Sequence, residues 1–213
     1  MKLRNKYYIL RHGEAISNVK QIVSSWPEKF KNPLTDNGKK QIKEAANKLQ
    51  SKRIDLIFAS DLLRTKQTAN IVAKTLNLGL KFDKSSTTFK KIKVVLDKRL
   101  REVGFGAING RPAEELLYLS FEKDRLKKSF KRSETYEGVL KRVFGFFKEI
   151  DKKYSSPHQK FGSGGKGKNI LLVSHQCPLW ILENHVKGFS LAEGLKRNPL
   201  EKRIGRGEIR ELN

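Results

Sequence analysis

The chain predicts an α/β fold, a three-layer α/β/α sandwich built on a mainly parallel sheet. Three features predict it. Residues 6–10, 55–59 and 169–173 are short aromatic or aliphatic runs with the look of buried strands. Helical periodicities alternate with these runs, as in strand–helix–strand units that place helices on both faces of a sheet. Each run also ends in chemistry-bearing residues: Arg11-His12-Gly13-Glu14, Ser60-Asp61 ahead of Arg64, and Ser174-His175-Gln176. In open α/β sheets the carboxyl ends of the strands are where ligands bind.

The first run, Lys6-Tyr7-Tyr8-Ile9-Leu10, leads directly into Arg11 and His12, and Gly13 lets the chain turn sharply with its backbone close to whatever sits there. A polar loop follows through Ser24-Ser25-Trp26-Pro27 to Asn32-Pro33. Leu34-Thr35-Asp36-Asn37-Gly38 predicts a helix start, with Thr35 or Asp36 as the cap. Ile42, Ala45, Ala46 and Leu49 then fall on one apolar face. After the second strand, Ala69, Val72, Ala73 and Leu76 mark another helix, with Arg64 at or just before its first turn and Asn77-Leu78-Gly79 as its stop.

Phe82 and Val94-Val95-Leu96 are weaker strand candidates. Glu102 lies among basic neighbours in a glycine-bearing stretch, where a carboxylate is either a proton donor or a solvated surface charge. Residues 113–130 look helical, with basic residues gathered from Lys123 to Arg132. Val139, Val143, Phe147 and Ile150 define a long helix. Residues 155–168, with four glycines and no periodicity, predict a flexible surface loop rather than a domain boundary. Pro178 is expected to open an apolar helix over 179–186 that Gly188 closes, and residues 207–212 suggest a last edge strand. One domain over 1–213 is expected, with a basic cap region at about 103–133.

Composition narrows the function classes. A single cysteine, Cys177, excludes an intrachain disulfide and a cysteine-based metal site. No apolar run approaches the length of a membrane span and residues 7–10 are too short for a signal peptide, so a cytoplasmic setting without membrane contact is expected. The net charge of +24 fits either a patch for nucleic acid or another polyanion, or lysines spread over solvated helix faces. Lysines scattered along most of the chain, with no zinc-finger, RNP-like or homeodomain pattern, favour the second.

Three strand ends thus bring Arg11 and His12, Arg64, and His175 to one rim of the sheet. Two arginines and two histidines there suit a dianion such as a phosphoryl group.

Five blocks in order give the chain a resemblance to the histidine phosphatase superfamily, the phosphoglycerate mutase-like enzymes. They are Arg11-His12-Gly13-Glu14 with Asn18; Pro33-Leu34-Thr35 with Gly38; Ser60-Asp61-Leu62-Leu63-Arg64-Thr65 with Thr68-Ala69; Leu100-Arg101-Glu102 with Phe105-Gly106 and Gly110; and Val173-Ser174-His175. The resemblance implies a phosphoglycerate mutase-like fold and a phosphohistidine mechanism. His12 would be the nucleophile, with Arg11, Arg64 and His175 as the phosphate clamp, and Glu102 would exchange the proton. Asn18 would add a hydrogen bond to the phosphate, and Ser24 is a candidate for another. The substrate would be a small phosphorylated metabolite, with no metal or cofactor, because the cations are side chains. The Val103–Gly110 stretch resembles the phosphatase branch, so hydrolysis is expected over mutase activity. The basic segment 123–132 is expected to overhang the pocket and favour polyanionic substrates. A phosphoglycerate mutase and a polyanion- or RNA-associated module remain the alternatives.

One departure from the pattern is Gln176, where the family usually has glycine. It could narrow the pocket or contact substrate. Cys177 is read as a small buried residue, and His158 and His185, without companion ligands, as ordinary side chains. Trp26 is either a packing residue or part of the pocket mouth.

Overall fold

A computed structural model describes residues 2–82, 91–116, 126, 132–155 and 167–212. Five strands form one sheet in the order β3-β2-β4-β1-β5. They are β1 (Lys6–Arg11), β2 (Leu56–Ala59), β3 (Lys93–Leu96), β4 (Asn169–Ser174) and β5 (Ile209–Glu211). β1 to β4 run parallel, and β5 lies antiparallel on the β1 edge. The helices are α1 (Ile16–Val19), α2 (Asp36–Leu49), α3 (Leu63–Phe82), α4 (Tyr136–Lys153), α5 (Gln176–Val186) and α6 (Leu191–Arg197).

Strand pleating sorts the core into two layers. From β1, Tyr8 and Leu10 pack with Ile42, Ala45, Ala46 and Leu49 of α2 and with Ala69, Val72, Ala73 and Leu76 of α3. Tyr7 and Ile9 point the other way, to Val139, Val143, Phe146 and Phe147 of α4 and Leu179 to Leu182 of α5. Burial of each such aliphatic side chain is worth about 1.5–3 kcal/mol. Because both faces of the sheet are covered, Tyr7 to Leu10 of β1 and Ile170 to Val173 of β4 are unbroken buried runs rather than alternating. This is the expected α/β/α sandwich.

The second sequence block locks onto the first. Thr35 caps α2 by accepting from the Gly38 N–H at 2.9 Å, and its hydroxyl donates to Glu14 Oε1 at 2.6 Å. Gly13 and Gly38 face each other where the loop after β1 meets α2. A Cβ on Gly13 would lie 2.5 Å from the Gly38 carbonyl oxygen, and one on Gly38 would lie 2.0 Å from that of Glu14. Close approach to α2, rather than a sharp turn, is therefore what requires glycine at position 13.

Several boundaries differ from the sequence reading. Asn77-Leu78-Gly79 does not stop α3, and Phe82 ends that helix instead of forming a strand. The Asn77 amide is engaged elsewhere, accepting from the Ile92 N–H at 2.8 Å ahead of β3, so it offers the helix no cap. α5 begins at Gln176, earlier than expected, with Pro178 in its first turn. That position tolerates proline because first-turn N–H groups have no intrahelical acceptor. Of the expected helix over 113–130, Ala113–Leu116 form a 3-10 turn, and most of the rest lies outside the described residues. The same holds for most of the 155–168 loop and for His158.

Glycine positions give a direct test of packing. Gly38→Ala should cost about 1–3 kcal/mol in urea unfolding, because the obstacle is backbone. Gly145→Ala, on the exposed face of α4 with nothing near its Cβ position, should instead raise stability by about 0.5–1 kcal/mol.

Candidate active site

The four parallel strands end on one rim. β1 leads into His12, β4 into His175 at the cap of α5, β2 into Ser60 and Asp61 ahead of Arg64, and β3 into Asp97 and the turn bearing Glu102. Backbone hydrogen bonds continue the sheet past the strands: the His12 N–H donates to the Ser174 carbonyl at 3.1 Å and the Ser60 N–H to Val173 at 3.0 Å. The two histidine rings consequently sit edge to face, their centroids 5.1 Å apart.

Hydrogen bonds fix the state of His12. Its Nδ1 donates to the Gly13 carbonyl at 2.7 Å, and Arg64 Nε donates to its Nε2 at 3.3 Å. The proton is thereby assigned to Nδ1 and a lone pair to Nε2. Burial, followed by the charges of Arg64 and Arg11, holds the imidazole well below its ordinary pKa, so it is neutral near pH 7. His175 is depressed for the same first reason, burial. Its Nε2 lies 3.0 Å from the Ser60 hydroxyl. With that hydroxyl as donor, Nδ1 of His175 carries the ring proton.

Arg64 is almost fully buried. Besides His12, its guanidinium reaches Glu28 Oε1 at 3.1 Å and the Ser24 carbonyl at 3.2 Å. Arg11 donates through Nη1 to the Ile204 carbonyl at 3.0 Å, and burial pulls its guanidinium down to about 10. After these contacts, Arg11 Nε and His175 Nδ1 remain buried with no hydrogen-bond partner among the described residues. Buried polar atoms are normally paired, so a site that leaves two donors over is suited to a ligand rich in acceptors.

Glu102 sits half-buried across the rim. Desolvation pushes its carboxyl above the usual range, opposed by the Val103 N–H and by the charges of Arg64, Arg11 and Arg142. Its backbone is held firmly. Arg142 of α4 donates to the carbonyls of Arg99 (2.6 Å), Arg101 (2.8 Å) and Glu102 (3.2 Å) while paired with Glu134 at 2.7 Å. Arg101 makes a two-pronged ion pair with Asp61, both contacts 2.6 Å. Trp26 donates from Nε1 to the Glu102 carbonyl at 3.1 Å and lies under Arg101. Trp26 is thus 38% exposed and tied to the turn that bears Glu102.

Structure therefore brings together Arg11, His12, Arg64, Glu102 and His175. Ser24 joins them through its carbonyl, while its hydroxyl accepts from Asn32. Asn18, on α1, accepts from the Ala15 N–H through Oδ1 at 2.9 Å. Gln176 is half-buried beside His175. Of the basic segment, Lys123, Arg125, Lys127, Lys128 and Lys131 lie outside the described residues, and Arg132 is exposed. Cys177 is buried, and the His185 ring packs against Phe144 at 4.3 Å. Among the described residues no cluster of three His, Cys, Asp or Glu could hold a metal ion, and no helix is long and apolar enough to cross a membrane.

Sequence reading missed Glu28, Arg142 and Arg206, the last of which acts through its charge on both Arg11 and His12. Their signals were faint: a lone acid in a polar loop, an arginine between apolar helix positions, and an arginine between two glycines ahead of the last strand.

A sequence profile of the histidine phosphatase superfamily (branch 1) matches residues 7–202. The chain belongs to this superfamily. Among curated relatives, fructose-2,6-bisphosphatase TIGAR of Xenopus tropicalis is 28% identical over 166 residues, 75% of this chain and 56% of that protein. The "Probable phosphoglycerate mutase GpmB" of Yersinia enterocolitica is 35% identical over 109 residues, 51% of this chain and 43% of that protein. The chain thus spans about half the length of these relatives. Among solved structures, a mycobacterial glucosyl-3-phosphoglycerate phosphatase with VO3 aligns with a TM-score of 0.76 at 19% identity, covering 97% of this chain and 90% of the other. The α-ribazole phosphatase of Shigella flexneri aligns with a TM-score of 0.71 at 23% identity, covering 97% and 89%. These likenesses establish the phosphoglycerate mutase-like fold.

Arg142→Ala would leave three carbonyls of the Glu102 turn without their shared donor. It should cost about 3 kcal/mol in denaturant unfolding.

Proposed function

We propose that the protein is a phosphomonoester phosphatase that acts on small phosphorylated metabolites through a phosphohistidine. The observation that carries this is a neutral His12, whose unprotonated Nε2 accepts only from Arg64 among the described residues, set among Arg11, Arg64 and His175. Near pH 7 such an imidazole is a nucleophile that need not first lose a proton. Phosphoryl transfer asks mainly for positioning and charge stabilisation, which planar guanidinium forks supply.

In this reading Nε2 of His12 attacks phosphorus, a P–N bond forms and the ester P–O bond breaks. Arg11, Arg64 and His175 bind the equatorial oxygens, with Asn18 and Ser24 as further hydrogen-bonding candidates. To make room, Arg64 shifts its Nε from His12 to the substrate. Glu102 gives its proton to the departing oxygen. Glu102 then takes a proton from water, whose oxygen attacks phosphorus and breaks the P–N bond. Inorganic phosphate leaves, and neutral His12 and protonated Glu102 are restored. The raised pKa of Glu102 suits a group that must hold a proton before it donates one.

A mutase reading is supported by the name of the Yersinia relative. It would return the phosphoryl group to substrate instead of water. Incubation with 3-phosphoglycerate and a trace of 2,3-bisphosphoglycerate separates the two readings. Phosphate release outpacing 2-phosphoglycerate formation is expected. A module that only binds polyanions would instead retain RNA in a salt-dependent way without turnover of any phosphoester.

His12→Ala should abolish both turnover and the acid-labile phosphoenzyme trapped by rapid quench of wild type. For substrates with poor leaving groups, kcat should fall as pH rises through the raised Glu102 pKa, because the acid form is the donor. On the acid side His12 should cause no loss until pH drops well below 6.5, since its depressed pKa keeps it neutral. Glu102→Gln should remove the alkaline limb and slow alkyl phosphates at least about 100-fold, while p-nitrophenyl phosphate, whose leaving group barely needs a proton, loses far less.

A further inference from the structure

Arg206 stands apart from the other arginines around the site. Arg64 is paired with Glu28, Arg99 with Asp97 and Glu149, Arg101 with Asp61, Arg142 with Glu134, and Arg210 with Glu208 and Glu183. Arg206 is exposed and has neither an ion pair nor a side-chain hydrogen bond among the described residues. Of the acids around it, Glu208 is engaged by the Gly205 N–H and by Arg210, and Glu14, close enough to feel the Arg206 charge, is engaged by the Thr35 hydroxyl.

The loop that carries Arg206 is stitched onto the catalytic strand end. The Gly207 N–H donates to the Arg11 carbonyl at 3.1 Å, and the Arg11 N–H to the Glu208 carbonyl at 3.4 Å. The Arg11 guanidinium itself holds the Ile204 carbonyl at 3.0 Å. Arg11 therefore anchors the loop on both sides of Arg206, which sits at its apex over the end of β1. Glycine at 207, with φ of +69°, permits that reversal. The placement is close enough for the Arg206 charge to act on both His12 and Arg11.

Sheet order then makes the rim asymmetric in charge. On the β2 side, Glu28 neutralises Arg64. His175 and His12 occupy the middle, at the ends of β4 and β1. On the β5 side stands Arg206, in no ion pair among the described residues. A phosphoryl group centred on His12 would project the rest of its molecule across this rim. An anionic substituent would be repelled by Glu28 and attracted by Arg206.

We propose that Arg206 is a specificity-determining residue, which selects phosphomonoesters carrying a second anionic group, a carboxylate or a second phosphate, on the β5 side of the pocket. The proposal rests on the phosphatase reading above. A guanidinium fork suits either oxyanion, and an exposed one gives up little of its own hydration before binding.

Two matched substrate pairs test it: glycerol 3-phosphate against 3-phosphoglycerate, which adds a carboxylate, and glucose 6-phosphate against glucose 1,6-bisphosphate, which adds a phosphate. Wild type should favour the more charged member of at least one pair by kcat/KM, and the pair so favoured identifies the substituent. Arg206→Gln should reduce that preference at least about tenfold, chiefly through KM, and Arg206→Lys should restore part of it. Added salt should erode the wild-type preference, since the group is exposed. An unchanged preference in Arg206→Gln, or an equal loss on both members of each pair, would overturn the assignment. If wild type hydrolyses none of the four substrates nor p-nitrophenyl phosphate, the phosphatase reading itself fails.

Discussion

Burial of the Arg64 guanidinium beside His12 is the constraint on which the site depends. Removing a guanidinium from water costs several kcal/mol unless its protons find acceptors. Here the acceptors are a carboxylate from the loop after β1, a carbonyl from the same loop, and the Nε2 lone pair of His12. The third of these couples the arginine to the chemistry. Protonated His12 could not accept from Arg64 and would face its charge, so the packing that hides Arg64 also keeps the imidazole neutral, with its lone pair on Nε2. The charge of Arg11 acts on the same ring in the same direction. The cationic character of the rim is thus a local arrangement of two arginines and does not need the charge of the whole chain.

That arrangement needs a rigid floor, which the parallel sheet supplies. β4 lies between β2 and β1, in register with both, so three strand ends are aligned by backbone hydrogen bonds before any side chain contributes. The acid comes from farther along the rim, beyond edge strand β3, where the sheet alone would not hold it. Asp97 caps the short turn after β3, Ser174 donates to the Leu100 carbonyl at 2.6 Å, and Arg142 gathers the carbonyls that follow. Polar clamps therefore take over at the point where the sheet ends.

Much of this was legible in the sequence because the governing physics is local. Apolar runs buried on both faces stand out as strands, and the residues directly after them must lie at strand ends. Thr35 or Asp36 was readable as the cap of α2, and the structure selects Thr35. Distant partners were harder to see. Nothing near Asn77 signals that Ile92 will engage its amide and let the helix run on. Gly13 looked like a turn glycine because its actual constraint, the backbone of Gly38, lies across a gap that sequence does not show. Arg142 and Glu28 were missed for a related reason: each matters through a partner in another element, and neither helical period nor strand alternation reports such pairs.

The antiparallel β5 has a consequence for how the site comes into being during synthesis. Arg11 is made nearly two hundred residues before its partners, yet its carbonyl, its amide and its guanidinium all engage residues 204–208. A nascent chain that has emerged only as far as α5 already contains His12, His175 and Arg64. It still lacks the segment that fixes Arg11 and anchors the edge of the sheet. Contacts this distant in sequence form late, because closing so long a loop costs entropy before the contacts repay it. The cationic rim is therefore completed only after residues 204–208 have been made, when β5 docks beside β1.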